Sequence, residues 1–158
     1  MLLFICIVLW TFSLHSQNIL ISEDFEGDNL PNGWTISTNA SDGGWSIGTA
    51  QNIESQWWEI ANHGKIIGTN DDDCDCDKSM DYLILPTLDF SNSTAAALQF
   101  ENYFDGGEFQ GNTEIATLEY SLDNGASWSI LSTIEGAEEG VWDSQSIDLS
   151  SLCGNANV

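Results

Sequence analysis

The sequence predicts an all-β protein built as a two-sheet antiparallel β-sandwich, and three observations point there. Short runs rich in Ile, Leu, Thr, Trp, Tyr and Phe recur between clusters of Gly, Asn, Asp and Ser. Helical periodicity is hard to find anywhere in the chain. The runs are many and short, which favours two packed sheets over one. In order they cover residues 19–25, 34–38, 45–47, 57–61, 65–69, 81–85, 96–104, 114–121, 127–134 and 141–149.

The sharpest local geometry lies between Glu114 and Ile134, where two alternating runs flank Asp123-Asn124-Gly125. Asn-Gly supplies the positive φ angles of a tight hairpin turn. Side chains alternate across a strand, so Ala116, Leu118 and Tyr120 are expected on one face and Ile115, Thr117 and Glu119 on the other. In the returning strand Trp128, Ile130, Ser132 and Ile134 alternate with Ser129, Leu131 and Thr133.

Residues 1–16, MLLFICIVLWTFSLHS, form an apolar run without an acidic residue that ends in small and polar residues. That is the pattern of an export signal, with cleavage expected after Ser16. The run stops by Leu14, short of the roughly 20 residues that span a bilayer. Residues 17–158 then form one secreted or surface-exposed domain with a single core. The last residues follow a loop-like Leu152-Cys153-Gly154, where a further strand would begin, so a longer parent polypeptide is expected.

Against 25 Asp and Glu stand only Lys65 and Lys78, a formal charge of −23. Nucleic acid is excluded as a partner, because binding it takes cationic groups that displace counterions from phosphates. Anionic membrane surfaces are excluded for the same reason. Such a charge opposes compaction by self-repulsion, so bound cations matter to the folded state.

The most informative segment is Asn70-Asp71-Asp72-Asp73-Cys74-Asp75-Cys76-Asp77-Lys78-Ser79-Met80-Asp81. Carboxylates this dense repel one another unless a cation sits among them, and hard oxygen donors suit Ca²⁺. In an extended trace Asp71, Asp73, Asp75 and Asp77 share one side, and curvature would converge two or three of them on one ion. Asp81 and Glu26 are added as ligands from neighbouring strands. The segment is no EF-hand, which needs Gly where Cys76 stands and Glu where Tyr82 stands.

Removal of Cys6 with the export signal leaves Cys74, Cys76 and Cys153, an odd number in a compartment that permits disulfides. The favoured bridge joins one of the pair to Cys153 and tethers the acidic loop to the chain's end. A zinc site of Cys74, Cys76, Cys153 and His63 is the weaker alternative, since the pair is closer in sequence than usual zinc pairs. No catalytic residue is assigned. The mature chain offers only His63 as an imidazole base, and it sits in a turn signal, Asn62-His63-Gly64. Carboxylates are too abundant for any glycosidase-like pair to stand out.

Most of the tryptophans belong in the core. Trp57-Trp58 differ, because adjacent strand residues face opposite sides, and one of them is expected at the surface, where an indole stacks on a sugar ring or a partner's apolar patch.

Five or six short motifs occur in a fixed order: Asp24-Phe25-Glu26-Gly27, Leu30-Pro31-Asn32-Gly33-Trp34, Gly44-Trp45-Ser46-Ile47-Gly48, and Asp81-Tyr82-Leu83-Ile84-Leu85-Pro86 with Leu88-Asp89-Phe90-Ser91. Leu98-Gln99-Phe100-Glu101-Asn102-Tyr103 and Ser121-Leu122-Asp123-Asn124-Gly125-Ala126-Ser127-Trp128 follow. Together they resemble the cleaved-adhesin and choice-of-anchor J modules, MAM-like jelly rolls of secreted Bacteroidetes proteins. The resemblance implies a jelly-roll sandwich with structural calcium, carried by adhesins, peptidases or other large surface proteins. It also implies further strands after Val158, so the sandwich as given is C-terminally incomplete. Ser121-x-Asp123-x-Gly125-x-x-Trp128 also resembles the Asp-box hairpin of sialidases, a structural motif. The function expected is a non-catalytic adhesion module for an extracellular glycan or protein. A secreted jelly-roll hydrolase such as a glycoside hydrolase, an accessory domain of a secreted peptidase, and a structural spacer are the rivals.

Overall fold

The computed structural model describes residues 17–158 except 105, 107, 110, 135 and 137–140. The expected export signal, residues 1–16, therefore lies outside the described residues. Strands dominate: β1 Thr35–Ser37, β2 Ser46–Thr49, β3 Lys65–Gly68, β4 Tyr82–Ile84, β5 Ala97–Asn102, β6 Glu108–Phe109, β7 Asn112–Thr113, β8 Ala116–Tyr120, β9 Ser129–Ile134 and β10 Asp143–Asp148. Helix is confined to one turn, α1 Ala50–Ile53, and a 3₁₀ turn at Ser150–Leu152. The strands associate as antiparallel pairs, β1–β4, β2–β3, β5–β10, β6–β7 and β8–β9. The all-β class is therefore observed, in the form of small two-stranded ladders.

Eight of the ten predicted runs contain a strand, and the two that do not share a physical cause. In 19–25, Glu23 Oε1 accepts the N–H of Asp24 and Phe25 at 3.2 and 2.8 Å, and Asp24 Oδ1 accepts the N–H of Glu26 at 3.1 Å. In 57–61, Ser55 Oγ accepts the N–H of Trp57 and Trp58, and Glu54 Oε2 accepts that of Ile60. Local side chains take the backbone donors that a ladder would have used. Helix α1 escapes a periodicity search because it is one turn long, held where Asn52 Oδ1 accepts both the N–H and the hydroxyl of Thr49.

Two apolar clusters form the interior. Ala50, Ile53, Ile60 and Ile66 pack under α1, with Trp58, Tyr103 and Trp142 against them. The close fit depends on Gly68, where a Cβ would stand 2.5 Å from Ile53 Cγ2. The second cluster is Phe90, Leu149 and Leu152, flanked by Leu98 and Ile147 of the β5–β10 pair, Tyr120 and Leu131 of the hairpin, and Val158. Leu88 and Val158 exchange both backbone hydrogen bonds, at 2.8 and 3.1 Å, so the last described residues lie alongside 88–90.

The β8–β9 hairpin turns at Asn124 and Gly125, with φ 58° and 80°. Asp123 organises the turn: its carboxylate accepts the Ser127 N–H and the Ser121 and Ser127 hydroxyls at 2.9, 2.8 and 2.6 Å. One expectation changes here. A bulge opposite Leu118/Glu119 makes Leu131 an extra residue, so Leu131 turns inward while Ile130 is 64% exposed. A strict alternation through β9 could not anticipate a one-residue shift of register.

Candidate functional site

The acidic segment leaves the end of β3 and returns into β4 as consecutive turns. Cys74 and Cys76 are joined to each other, with Cα atoms 5.1 Å apart. The intervening Asp75 takes a left-handed φ of 46°, a conformation Asp tolerates better than most residues. This corrects the expected bridge to Cys153. Cys153 is free and follows Leu152 of the second cluster, among the residues paired with 88–90 beyond the end of β4, whereas the acidic loop leads into the start of β4. The zinc alternative is not assembled either, because the Cys74 and Cys76 sulfurs are bonded and His63 Nε2 lies 2.6 Å from Glu101.

The predicted ligands divide into three groups. Asp71, Asp75 and Asp77 are exposed, and Asp77 Oδ1 accepts the Ser79 N–H at 2.8 Å. The hydroxyl and N–H of Ser79 hold the Asp77 carboxyl below its ordinary range. Asp73 borders a cleft that the Asp81 side chain does not line. Asp73 lines it with Asp42, Gly44, Ser46, Asn52, Ile53, Gly68, Thr69 and Asn70, around a volume of about 100 Å³. The Asp81 side chain is buried behind Gly44, 2% exposed. Glu26 is elsewhere: its Oε1 accepts the Lys65 N–H at 3.2 Å, at the opposite end of β3 from the acidic loop.

Asp42 is the residue that sequence reasoning missed. It lies about thirty positions upstream, in a turn before β2, and only tertiary folding brings it here. Both its oxygens accept from Lys78 Nζ at 2.7 Å, and Oδ1 also accepts the Gly44 N–H at 3.0 Å. Lys78 first, and the Gly44 N–H next, hold the Asp42 carboxyl below its usual range. The short pattern Asp42-x-Gly44 before Trp45 was its only trace in the sequence. Among the described residues, Asp42, Cys74 and Cys76 form the one group of three acidic, His or Cys side chains whose ligand atoms all lie within 4.8 Å of one another. With the sulfurs bonded, that group offers a carboxylate and no thiolate.

Trp57 is 73% exposed, while Trp58 packs on Tyr103 with ring centroids 4.9 Å apart. The sequence expected this division between the two indoles, although it follows from a turn and not from a strand. Ser55 links the pair to the acidic loop: its hydroxyl accepts the N–H of Trp57 and Trp58 and donates to Asp72 Oδ2 at 2.5 Å. One donor and two acceptor lone pairs are thereby all used. Behind them an aromatic row runs Trp58, Tyr103, Trp142, His63, with Tyr103 and Trp142 donating to the Glu59 and Ala61 carbonyls at 2.9 and 2.8 Å.

No helix among the described residues is long and apolar enough to cross a membrane. No protein-family model matches this chain, and neither does a curated protein or a solved structure.

Proposed function

We propose that the chain is a secreted, non-catalytic binding module of jelly-roll type, part of a longer surface protein, in which calcium orders the acidic loop and the loop steadies a ligand-binding indole. The observation that carries this reading is the Ser55 bridge, which joins the exposed Trp57 turn to Asp72 of the acidic loop. Charge supports it. Both lysines of the chain are already engaged, Lys65 with Asp28 at 2.5 Å and Lys78 with Asp42 at 2.7 Å, so the remaining carboxylates draw their counter-charge from solution. The likeness to cleaved-adhesin and choice-of-anchor J modules supports the sandwich, the calcium and the extracellular glycan or protein ligand.

The test is a glycan-array screen run in millimolar calcium and again in EDTA, with Trp57→Ala alongside. Calcium-dependent binding that Trp57→Ala abolishes, at unchanged melting temperature, is the expected result. Binding that survives both EDTA and Trp57→Ala would sink the reading.

A further inference from the structure

We infer that the Cys74–Cys76 bridge is a thiol-exchange site, opened by cationic thiols in preference to anionic ones, and not a staple of the fold. The first observation is the size of the ring. The two cysteines stand two positions apart in sequence, and closing so short a loop removes little entropy from the unfolded chain. The bridge therefore adds little to stability. It closes over Asp75 at φ 46°, in the left-handed region that an L-residue otherwise avoids, and opening it frees that residue. Accessible bridges under local constraint are the ones that exchange.

The second observation is access, and what awaits the opened sulfurs. Both cysteines are half-buried in a run where Asp71, Asp72, Asp73, Asp75 and Asp77 are exposed, so an incoming thiol meets them on the folded chain. Cys74 Sγ lies 3.5 Å from the Asp71 carbonyl oxygen and 3.8 Å from that of Asn70. Once freed and protonated, it finds acceptors for its S–H already in place. Attack is therefore assigned to Cys76. A thiolate bonds to Cys76 Sγ, the electron pair of the S–S bond passes to Cys74 Sγ, and Cys74 takes a proton from water. A second thiolate then attacks the external sulfur of the mixed disulfide, and Cys76 leaves and is protonated in turn. The two external thiols are thereby oxidised to a disulfide and the bridge is reduced by two electrons.

The third observation is charge, which selects the thiol. Cys76 Sγ lies 3.9 Å from Asp42 Oδ1, the bridge sits within the run of exposed aspartates, and the nearby cation, Lys78, is bonded to Asp42. An approaching thiolate is repelled by this field, and an ammonium on the same molecule cancels its charge. The inference needs no metal and stands apart from the calcium reading above.

The test follows reduction of the full chain in EDTA at low ionic strength by cysteamine, mercaptoethanol and mercaptoethanesulfonate, whose reactive forms are a neutral zwitterion, a monoanion and a dianion. Rates are expressed per thiolate and divided by those on an uncharged peptide disulfide, and the freed cysteines are alkylated and located by peptide mass. Cys74 and Cys76 should be alkylated while the chain stays folded, its melting temperature lowered by no more than a few degrees. The relative rates should fall in the order given, by about ten-fold or more from first to last. That spread should narrow several-fold in about 0.5 M NaCl. Lys78→Met should widen it, and Asp75→Asn should narrow it. An adduct trapped on Cys74 instead of Cys76 would overturn the assigned direction of attack. A bridge that resists all three thiols while the chain is folded, or equal relative rates for the three, would overturn the inference.

Discussion

At the scale of single residues, part of this chain's acidity is committed to turns. Asp77, Asp89 and Asp148 each accept the N–H of the serine two positions on at 2.8 Å, and each carboxyl is held below its ordinary range by that serine's hydroxyl and N–H. In two of the three, the intervening residue, Phe90 or Leu149, is buried in the second cluster, so the turn aims an apolar side chain inward. Asp123 is the extreme case, lowered from 3.8 to about 2 by the Ser127 hydroxyl and N–H and then the Ser121 hydroxyl. A depressed carboxyl stabilises the fold above its unfolded pKa and loses that contribution as pH falls through the folded value. Asp123→Asn should therefore lower the melting temperature by a few degrees at neutral pH. The gap to the parent should close between about pH 4 and pH 2. A gap independent of pH would show that geometry, and not ionisation, is what Asp123 contributes.

At the scale of elements, close approach and turn chirality do the sorting. Gly68 lets Ile53 of α1 lie on β3, and a methyl at that position meets Ile53 Cγ2 at 2.5 Å. Gly68→Ala should destabilise by about 1–3 kcal/mol in urea unfolding, because the buried Ile53 has to leave its place in the first cluster. Gly125 has open space for a methyl, with Trp128 atoms no nearer than 3.5 Å, yet its φ is 80°. Gly125→Ala should cost about 1 kcal/mol through backbone strain alone. Asn124→Gly, at φ 58°, should be close to neutral by the same measurement. Equal effects of Gly125→Ala and Asn124→Gly would contradict the hairpin geometry.

At the scale of the whole molecule, a charge of −23 on 158 residues is the governing quantity. No large side chain among the described residues is fully buried, and large apolar groups such as Ile19, Trp57, Ile115 and Ile130 stand mostly in solvent. A core this thin has little reserve against self-repulsion. Raising NaCl from about 10 mM to about 150 mM shortens the screening length from about 30 Å to about 8 Å. The melting temperature in EDTA should rise over that interval, and millimolar calcium should add a further increase at constant ionic strength. A melting temperature indifferent to salt would mean that the carboxylates are too dispersed to repel.

The sequence by itself determined the all-β class, eight of the strand positions and the Asn124-Gly125 turn, because alternation and turn chemistry are local and act over a few residues. It also marked the acidic segment and the split between Trp57 and Trp58. It mistook 19–25 and 57–61 for strands, since apolar content there conceals the side chains of Glu23, Asp24, Glu54 and Ser55 that capture the backbone donors. Only the tertiary structure decided that Cys74 bonds Cys76, that Leu131 is the bulged residue, and that Asp42 comes to Lys78 and Asp81 while Glu26 stays at the other end of β3. Those outcomes depend on which distant segments are carried together by strand pairing and on where one carboxylate is buried, and neither leaves a periodic trace along the chain.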